Sequence, residues 1–280
     1  MTGQTIDLGK IDEPVLVFGG PYGNWQATSA ILATARQLTI PPERIICTGD
    51  TVAYCGDAAR TVAAIRHAGI HVVMGNCEEA LGQGREDCGC GFEKGSDCDA
   101  LSVQWFAHTQ EVLGDDDKDW MARLPRKLTF SMNGRRLAVI HGGAENISRF
   151  IFRSDPAAGK SHDLDVLGVD GVIAGHCGLP FVDIIDDRLW HNAGAIGMPA
   201  NDGTPRTWYS VLTPGPDGID VRLCPLDYDH MPAAASMLAK GIPEAYARTL
   251  EDGLWPNMDV LPAAERQQRG RALMAENILW

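Results

Sequence analysis

The four motifs with the clearest chemical content each follow a short apolar run. They are "TGDTVAYCG" around Asp50, "MGNCEE" around Asn76, "VIHGG" around His141 and "AGHCGLPF" around His176. Because the loops after strand ends carry the site of an α/β sheet, we expect these four side chains to converge. One carboxylate, one amide oxygen and two imidazoles suit Mn, Fe or Zn. The motifs therefore predict a site for a divalent metal.

The segments that must position these motifs alternate between strand and helix patterns. The strand patterns are short apolar runs with glycine close behind, and the helical patterns show apolar residues at helical spacing. Strands are predicted at 15–19, 44–47 and 70–74, and helices at 25–37, with Asn24 as N-cap, and 57–67. This alternation predicts an α/β fold.

The pattern breaks at an insert of about 82–98. Residues 82–95 hold five glycines and two cysteines, with neither a strand nor a helix period. A helix resumes near 98 and continues to about 112. We expect the insert to lie over the metal site, because it leaves the chain directly after the Asn76 motif.

The second half of the chain contains mostly strand patterns. Residues 127–132 and 136–140 are joined by "NG", which is typical of a hairpin. Further strands are predicted at 171–174, 181–185, 188–191, 207–212 and 218–224. The prediction is one domain over 13–227, followed by a helical extension at 228–280 that packs on it or on a second subunit of a homo-oligomer.

Composition narrows the class of protein. The chain has 280 residues, is 45% hydrophobic and 22% charged, and carries a net charge of -13. Such a charge argues against a surface that coats nucleic acid or binds an anionic membrane. No apolar stretch approaches the ~20 residues that span a bilayer, and "MTGQTIDLGKIDEP" lacks the pattern of a signal peptide. We therefore expect a cytoplasmic protein.

Taken together, the motifs resemble those of the calcineurin-like metallophosphoesterases, in their small bacterial branch. The matching segments are "GD-x-V-x-Y" at 49–54, "GNCE" at 75–78, "HG" at 141–142, "GH" at 175–176 and "HNAGAIGMPANDG" at 191–203. The resemblance covers roughly 15–224. It implies a four-layer α-β-β-α sandwich, a two-metal site across the strand ends, and a small phosphorylated substrate.

The chain departs from the family pattern in two motifs. In "GGPYGN", Gly20 and Tyr22 stand where the family has Asp and His, while Asn24 is retained. In "GHCG", Gly178 replaces the second His of Gly-His-x-His. In the family these three missing ligands bind one metal, which Asp50 bridges to the other. The resemblance thus implies that one half-site is lost and that Asp50, Asn76, His141 and His176 hold one metal.

Several residues are candidates for catalysis or substrate binding. Cys77 stands where many relatives have a His that assists the leaving group. Tyr22 faces the lost half-site, where it could donate a hydrogen bond to phosphate, ligate ferric iron or merely fill the space. Asn24 is a substrate-binding candidate through the family motif. Arg149 and Arg153 could supply positive charge, because a guanidinium fits phosphate bidentately; the alternative is a solvated loop.

Four cysteines could serve the lost half-site. Cys88, Cys90 and Cys98 belong to the insert, and Cys177 lies within "GHCG". Thiolates select Zn or Fe–S clusters, so a second centre on these sulfurs is one hypothesis. The other is that they are reduced thiols in a mobile lid.

Three functions are consistent with this pattern. The first is a phosphomonoesterase or phosphodiesterase that uses one divalent metal. The second is a non-catalytic binding or regulatory module on the same fold. The third is an iron-dependent enzyme of altered chemistry with a cysteine-bound second centre.

Overall fold

The computed structural model describes residues 4–280 of the chain, and it contains two six-stranded sheets. The first sheet is mixed, since two of its strand pairs are antiparallel and the other three are parallel. In the order in which they pair, its strands are β1 (Thr5–Lys10), β5 (Lys127–Met132), β6 (Arg135–Val139), β7 (Gly171–Ala174), β9 (Arg188–Asn192) and β8 (Phe181–Ile185).

The second sheet combines a parallel half with an antiparallel half. Two of its strand pairs are parallel and the other three are antiparallel. In pairing order the strands are β12 (Glu276–Leu279), β11 (Gly218–Leu226), β10 (Thr207–Gly215), β2 (Val15–Phe18), β3 (Ile45–Cys47) and β4 (His71–Val72).

Helices connect or flank the strands of both sheets. They are α1 (Trp25–Gln37), α2 (Ala58–Ala68), α3 (Asn76–Gly82), α4 (Asp97–Val112), α5 (Asp115–Ala122), α6 (Ala157–Leu167), α7 (His230–Ala239), α8 (Glu244–Asp252) and α9 (Ala263–Arg266), with a 3-10 turn at Pro42–Arg44. None of the described helices is both long enough and apolar enough to cross a bilayer.

Strand β2 shows how the layers form. Its residues alternate between two faces: Val15 and Val17 pack between the sheets, whereas Leu16 and Phe18 pack against α1 and α2. On the other sheet, Ala138 and Val172 face outward and pack with Leu164 of α6. The result is a four-layer α-β-β-α sandwich with an apolar core between the sheets, as predicted.

The ends of the chain differ from the sequence-based prediction. Thr5–Lys10, which precede the predicted start of the domain, form β1, which pairs with β5 at a sheet edge. The tail is helical through α7 and α8, but it finishes as β12 on the edge of the second sheet. Both are edge strands, whose pairing partners lie far away in sequence. Helix α6 also had no clear sequence pattern.

Candidate metal centre

The four predicted ligands follow strands of both sheets. Asp50 follows β3 and Asn76 begins α3 after β4, both on the second sheet, whereas His141 follows β6 and His176 follows β7 on the first. These strands present their carboxyl ends at one end of the sandwich. The site therefore lies where the two sheets meet, at the level of the strand ends.

All four side chains are buried, and the other three each approach the Nε2 atom of His141. His141 Nε2 lies 3.0 Å from Asn76 Oδ1, 3.0 Å from His176 Nδ1 and 3.2 Å from Asp50 Oδ2. The candidate ligand atoms of Asp50, His141 and His176 lie within 4.8 Å of one another. The convergence predicted from the motifs is therefore present in the structure.

The hydrogen bonds around the cluster orient acceptor atoms inward. His141 Nδ1 lies 2.7 Å from the carbonyl oxygen of Thr48, which can only accept, so Nδ1 carries a proton and neutral His141 presents a lone pair at Nε2. Asn76 Nδ2 donates to the carbonyl of Cys88 at 2.9 Å, which turns Asn76 Oδ1 toward the cluster. A group of acceptors that face one another in this way fits a cation.

The electrostatics of the cluster agree with this assignment. Burial alone would raise the pKa of Asp50, but the adjacent His141 more than offsets it, and the net pKa of Asp50 is lowered. Burial disfavours charge on His141, yet Asp50 outweighs it, so the pKa of His141 is raised. Burial and the neighbouring His141 lower the pKa of His176 to about 3. The cluster therefore favours a negative Asp50 and a neutral His176, and the raised pKa of His141 shows that the Asp50 carboxylate attracts positive charge, which a bound cation would supply.

Glu78 is a site residue that the sequence reasoning missed. Its buried carboxylate accepts hydrogen bonds from the backbone N–H groups of Asp50 at 2.9 Å, Thr51 at 2.6 Å and Gly75 at 2.8 Å. Asp50 has φ of 54°, a left-handed conformation that such bonds can hold in place. In the sequence, Glu78 and Glu79 have the pattern of an ordinary acidic helix start. Only the structure shows that the Glu78 carboxylate lies against the turn at Asp50.

The ring of Tyr22 lies between the two glycines that replace family ligands. A Cβ atom on Gly20 would overlap the ring carbons of Tyr22, and one on Gly178 would lie 3.4 Å from the Tyr22 hydroxyl oxygen. Tyr22 is 6% exposed. Burial, and then the charge of Asp50, raise the pKa of Tyr22 well above its usual value, so it stays a neutral phenol. The three altered positions are thus neighbours around one space.

Two other candidates have mainly structural contacts. Asn24 caps α1, because its Oδ1 accepts from Ala27 N at 3.0 Å, and its Nδ2 donates to the carbonyl of Gly197 at 3.0 Å. Both of its polar atoms are therefore engaged within the fold. Cys77 is buried, and its backbone N–H donates to Asp50 Oδ1 at 3.2 Å. Burial raises the pKa of the Cys77 thiol well above its usual value, so it does not supply a thiolate.

The two arginines are engaged away from the cluster. Arg149 Nη1 lies 3.2 Å from both carboxylate oxygens of Asp163. Arg153 pairs with Glu276 at 3.3 Å and is about half exposed. Neither lines the cleft beside His176. Both arginines are thus paired with acids that the sequence spacing does not reveal, and substrate binding by Arg149 and Arg153 stays a prediction.

The four candidate cysteines do not assemble into one cluster. Cys88 and Cys90 form a disulfide. The Cys98 thiol lies 2.8 Å from Asn257 Oδ1, and the Cys177 sulfur lies 3.1 Å from Asn192 Nδ2. Within residues 4–280, the Asp50–His141–His176 group is the only cluster of three or more His, Cys, Asp or Glu ligands. The cysteine-bound second centre is therefore corrected, since two of its sulfurs are bonded to each other and the other two have separate partners.

The insert does lie beside the site, as expected. The carbonyl of Cys88 accepts the hydrogen bond that orients Asn76, and Cys88 and Cys90 are buried in the same apolar cluster as Tyr22 and Cys77. A cleft opens next to His176, whose ring lies tilted against that of Phe150 with 4.3 Å between the ring centroids. Its outer wall comes from the C-terminal extension, including Trp255.

Comparisons with solved structures give the same fold. A hypothetical protein from Pyrococcus horikoshii has a TM-score of 0.72 at 16% identity, over 86% of this chain and 99% of that one. A metallophosphoesterase from Sphaerobacter thermophilus has a TM-score of 0.67 at 20% identity, over 87% and 100%. A cold-active protein-tyrosine phosphatase from a psychrophilic Shewanella has a TM-score of 0.51 at 10% identity, over 80% and 82%.

No curated protein matches the chain. The family model described as "Calcineurin-like phosphoesterase superfamily domain" matches residues 23–213. This match spans five of the six strands of the first sheet, β3, β4 and most of β10 in the second, and all four residues of the cluster, and it agrees with the fold and with the order of the strand-end motifs. The chain therefore belongs to the calcineurin-like phosphoesterase superfamily.

Proposed function

We propose that this protein is a hydrolase of small phosphoesters that uses one divalent metal ion, held by Asp50, Asn76, His141 and His176. The observation that carries the proposal is that Asn76 Oδ1, His176 Nδ1 and Asp50 Oδ2 all lie 3.0–3.2 Å from His141 Nε2. The four side chains that bear these atoms are buried. Family membership supports the reaction class. The mixture of oxygen and imidazole donors suits Mn, Fe or Zn.

A divalent ion at this site would lower the pKa of a bound water and polarise a phosphoryl oxygen. The chain itself holds the donors in place. Thr48 fixes the tautomer of His141 through its carbonyl, Cys88 fixes the orientation of the Asn76 amide, and Glu78 holds the Asp50 turn. Each of these contacts is made by backbone or by a buried side chain, so the donors need little rearrangement.

The proposal assigns Tyr22 to the place of the second metal. Its ring fills the space between Gly20 and Gly178, which excludes an ion there. Burial raises the pKa of the Tyr22 hydroxyl, so it stays protonated, and Tyr22 is one of the residues that line the cleft. A phenol in this position can donate a hydrogen bond to a non-bridging phosphate oxygen, and so replace part of the charge stabilisation that a second ion would give.

The direct test is metal analysis combined with an activity assay. Anaerobically purified protein should retain one Mn, Fe or Zn ion per chain, as measured by inductively coupled plasma mass spectrometry. It should also hydrolyse 4-nitrophenyl phosphomonoesters or diesters. Changing His141→Ala should abolish both properties. The matched control is His67→Ala, because His67 is exposed on α2.

Two results would contradict the proposal. Protein that retains no metal and hydrolyses none of these esters would favour the non-catalytic binding module. Iron accompanied by inorganic sulfide would favour the enzyme of altered chemistry.

A further inference from the structure

The cleft beside His176 is walled largely by aromatic rings. Phe150 lies against His176 with ring centroids 4.3 Å apart, and Phe92 stacks on Phe150 at 6.3 Å. On the other side, Tyr54 lies edge-on to Tyr22 at 4.9 Å. All five residues line the cleft, together with Trp255 and Tyr246. The arrangement offers ring faces and edges to whatever enters.

The cleft also lacks formal charge along its walls. Among the described residues that line it, none is Lys, Arg, Asp or Glu. A charged group placed there would lose hydration without gaining an ionic partner, which is costly. An anionic phosphoryl group is therefore expected only at the end of the cleft where His176 meets the acceptor cluster, and the rest of the ligand should be uncharged.

The outer wall is held firmly in place. Trp255 donates from its indole Nε1 to the carbonyl of Pro199 at 2.7 Å and from its backbone to Asn201 Oδ1 at 2.9 Å. The Cys98 thiol of α4 donates to Asn257 Oδ1 at 2.8 Å, which ties the start of α4 to the extension. These bonds fix the indole before a ligand arrives, so little ordering cost remains for binding.

From these observations we infer that the cleft binds the organic part of the substrate, and that this part is an uncharged, planar aromatic group attached to the phosphoryl oxygen. The inference rests on the proposed function for the placement of the phosphoryl group. Planar rings are favoured over aliphatic groups of equal size because aromatic pairs gain from offset or edge-on contacts in addition to burial.

The first experiment measures binding without catalysis. The probe is 4-nitrobenzyl alcohol, a neutral aromatic alcohol, and its matched control is cyclohexylmethanol, which lacks the ring; saturation-transfer NMR reports both on the full chain. The aromatic probe should bind more tightly. Phe92→Leu and Trp255→Leu should each weaken the binding of the aromatic probe by roughly fivefold, which is the size expected for one aromatic contact. Trp25→Leu, outside the cleft, should leave it unchanged.

The second experiment measures selectivity in hydrolysis. For wild type and each variant, kcat/KM is measured with an aryl and a cyclohexyl ester of the same phosphodiester type. The aryl-to-cyclohexyl ratio should fall in Phe92→Leu and Trp255→Leu and stay constant in Trp25→Leu. Circular dichroism shows whether each variant is folded, and agreement of two separate variants guards against one local distortion.

The two proposals fail separately. If the chain hydrolyses no ester but the aromatic probe binds and is weakened by the two cleft variants, the proposed function falls and the cleft assignment stands. If hydrolysis proceeds but the two alcohols bind equally, or the variants change neither binding nor the ratio, the cleft assignment is overturned.

Discussion

The carboxylate of Glu78 accepts a hydrogen bond from the backbone N–H of Asp50 at 2.9 Å, so one buried acid holds the backbone of another. Burial, and then the negative charge of Asp50, raise the pKa of Glu78, while the hydrogen bonds from Thr51 and Asp50 counteract them. This hydrogen bond directs the Asp50 carboxylate toward His141. It also brings two carboxylates close together, which is unfavourable.

Glu78→Gln should therefore weaken metal retention without removing a ligand. A glutamine amide would turn one NH2 group toward the backbone donors that Glu78 now satisfies. We expect metal affinity to fall about 10- to 100-fold, as for other partners that orient ligands, and the free energy of unfolding to fall by about 1–3 kcal/mol. Competition with a chelator and denaturant titration measure the two effects.

The matched control for this change is Glu86→Gln, at an exposed position in the insert. It should alter neither quantity. Unchanged metal affinity in Glu78→Gln would show that the Asp50 turn is held without this carboxylate.

Tyr22→Phe separates the ring of Tyr22 from its hydroxyl. The ring still fills the space between Gly20 and Gly178, so the variant should keep a single metal ion. Loss of the donor should lower kcat by roughly 100-fold, the size expected for one preorganised hydrogen-bond donor. Tyr209→Phe, on the outer face of the second sheet, is the control. If Tyr22→Phe keeps full kcat, Tyr22 only fills space.

Rebuilding the lost half-site should depend on Tyr22. The variants are Gly20→Asp, Tyr22→His and Gly178→His. Gly20→Asp alone should destabilise the protein, because its Cβ would overlap the Tyr22 ring, and Tyr22→His should relieve part of the loss. A double-mutant cycle should give a favourable coupling of about 1–3 kcal/mol in the free energy of unfolding.

The triple variant should bind a second metal and hydrolyse an activated phosphodiester faster than the natural protein. Gly20 and Gly178 have φ of 42° and 70°, so their replacement adds backbone strain that was not expected from the sequence. Additive stabilities in the cycle would mean that the Tyr22 ring is not the obstacle. Two bound metals without faster hydrolysis would count against the proposed function.

Thiol labelling tests whether the cysteines bind a metal. Burial raises the pKa of Cys98 to about 11, so below that pH its labelling by iodoacetamide should rise about tenfold per pH unit as thiolate forms. Cys88 and Cys90 should react only after reduction, and Cys77 should be protected by burial. Labelling of Cys98 and Cys177 should not change on adding a chelator. An increase with chelator would restore the hypothesis of a sulfur-bound metal.

Local patterns were enough to predict most strands and the four converging side chains. Each of Asp50, Asn76, His141 and His176 follows an apolar run, and a strand end determines where the next residue points. The roles of Glu78 and Arg149 depend instead on partners distant in the chain, Asp50 and Asp163 respectively.

The aromatic cleft was not predicted for the same reason. Its rings come from the loops after β2, β3 and β6, from the insert and from the extension, five segments that only the folded chain brings together. The edge strands β1 and β12 are similar cases, because short, half-exposed segments acquire strand structure only through pairing.

At the site end of the sandwich, the two sheets are also joined directly by backbone. Gly19, after β2, forms a β-bridge with Ala195, after β9, and the N–H of Ile196 donates to the carbonyl of Gly19 at 2.9 Å. The contact of Thr48 with His141 spans the same gap. This end therefore resists shear between the layers, and the slowest amide hydrogen exchange in the loops should be found here, at Ile196 and its neighbours.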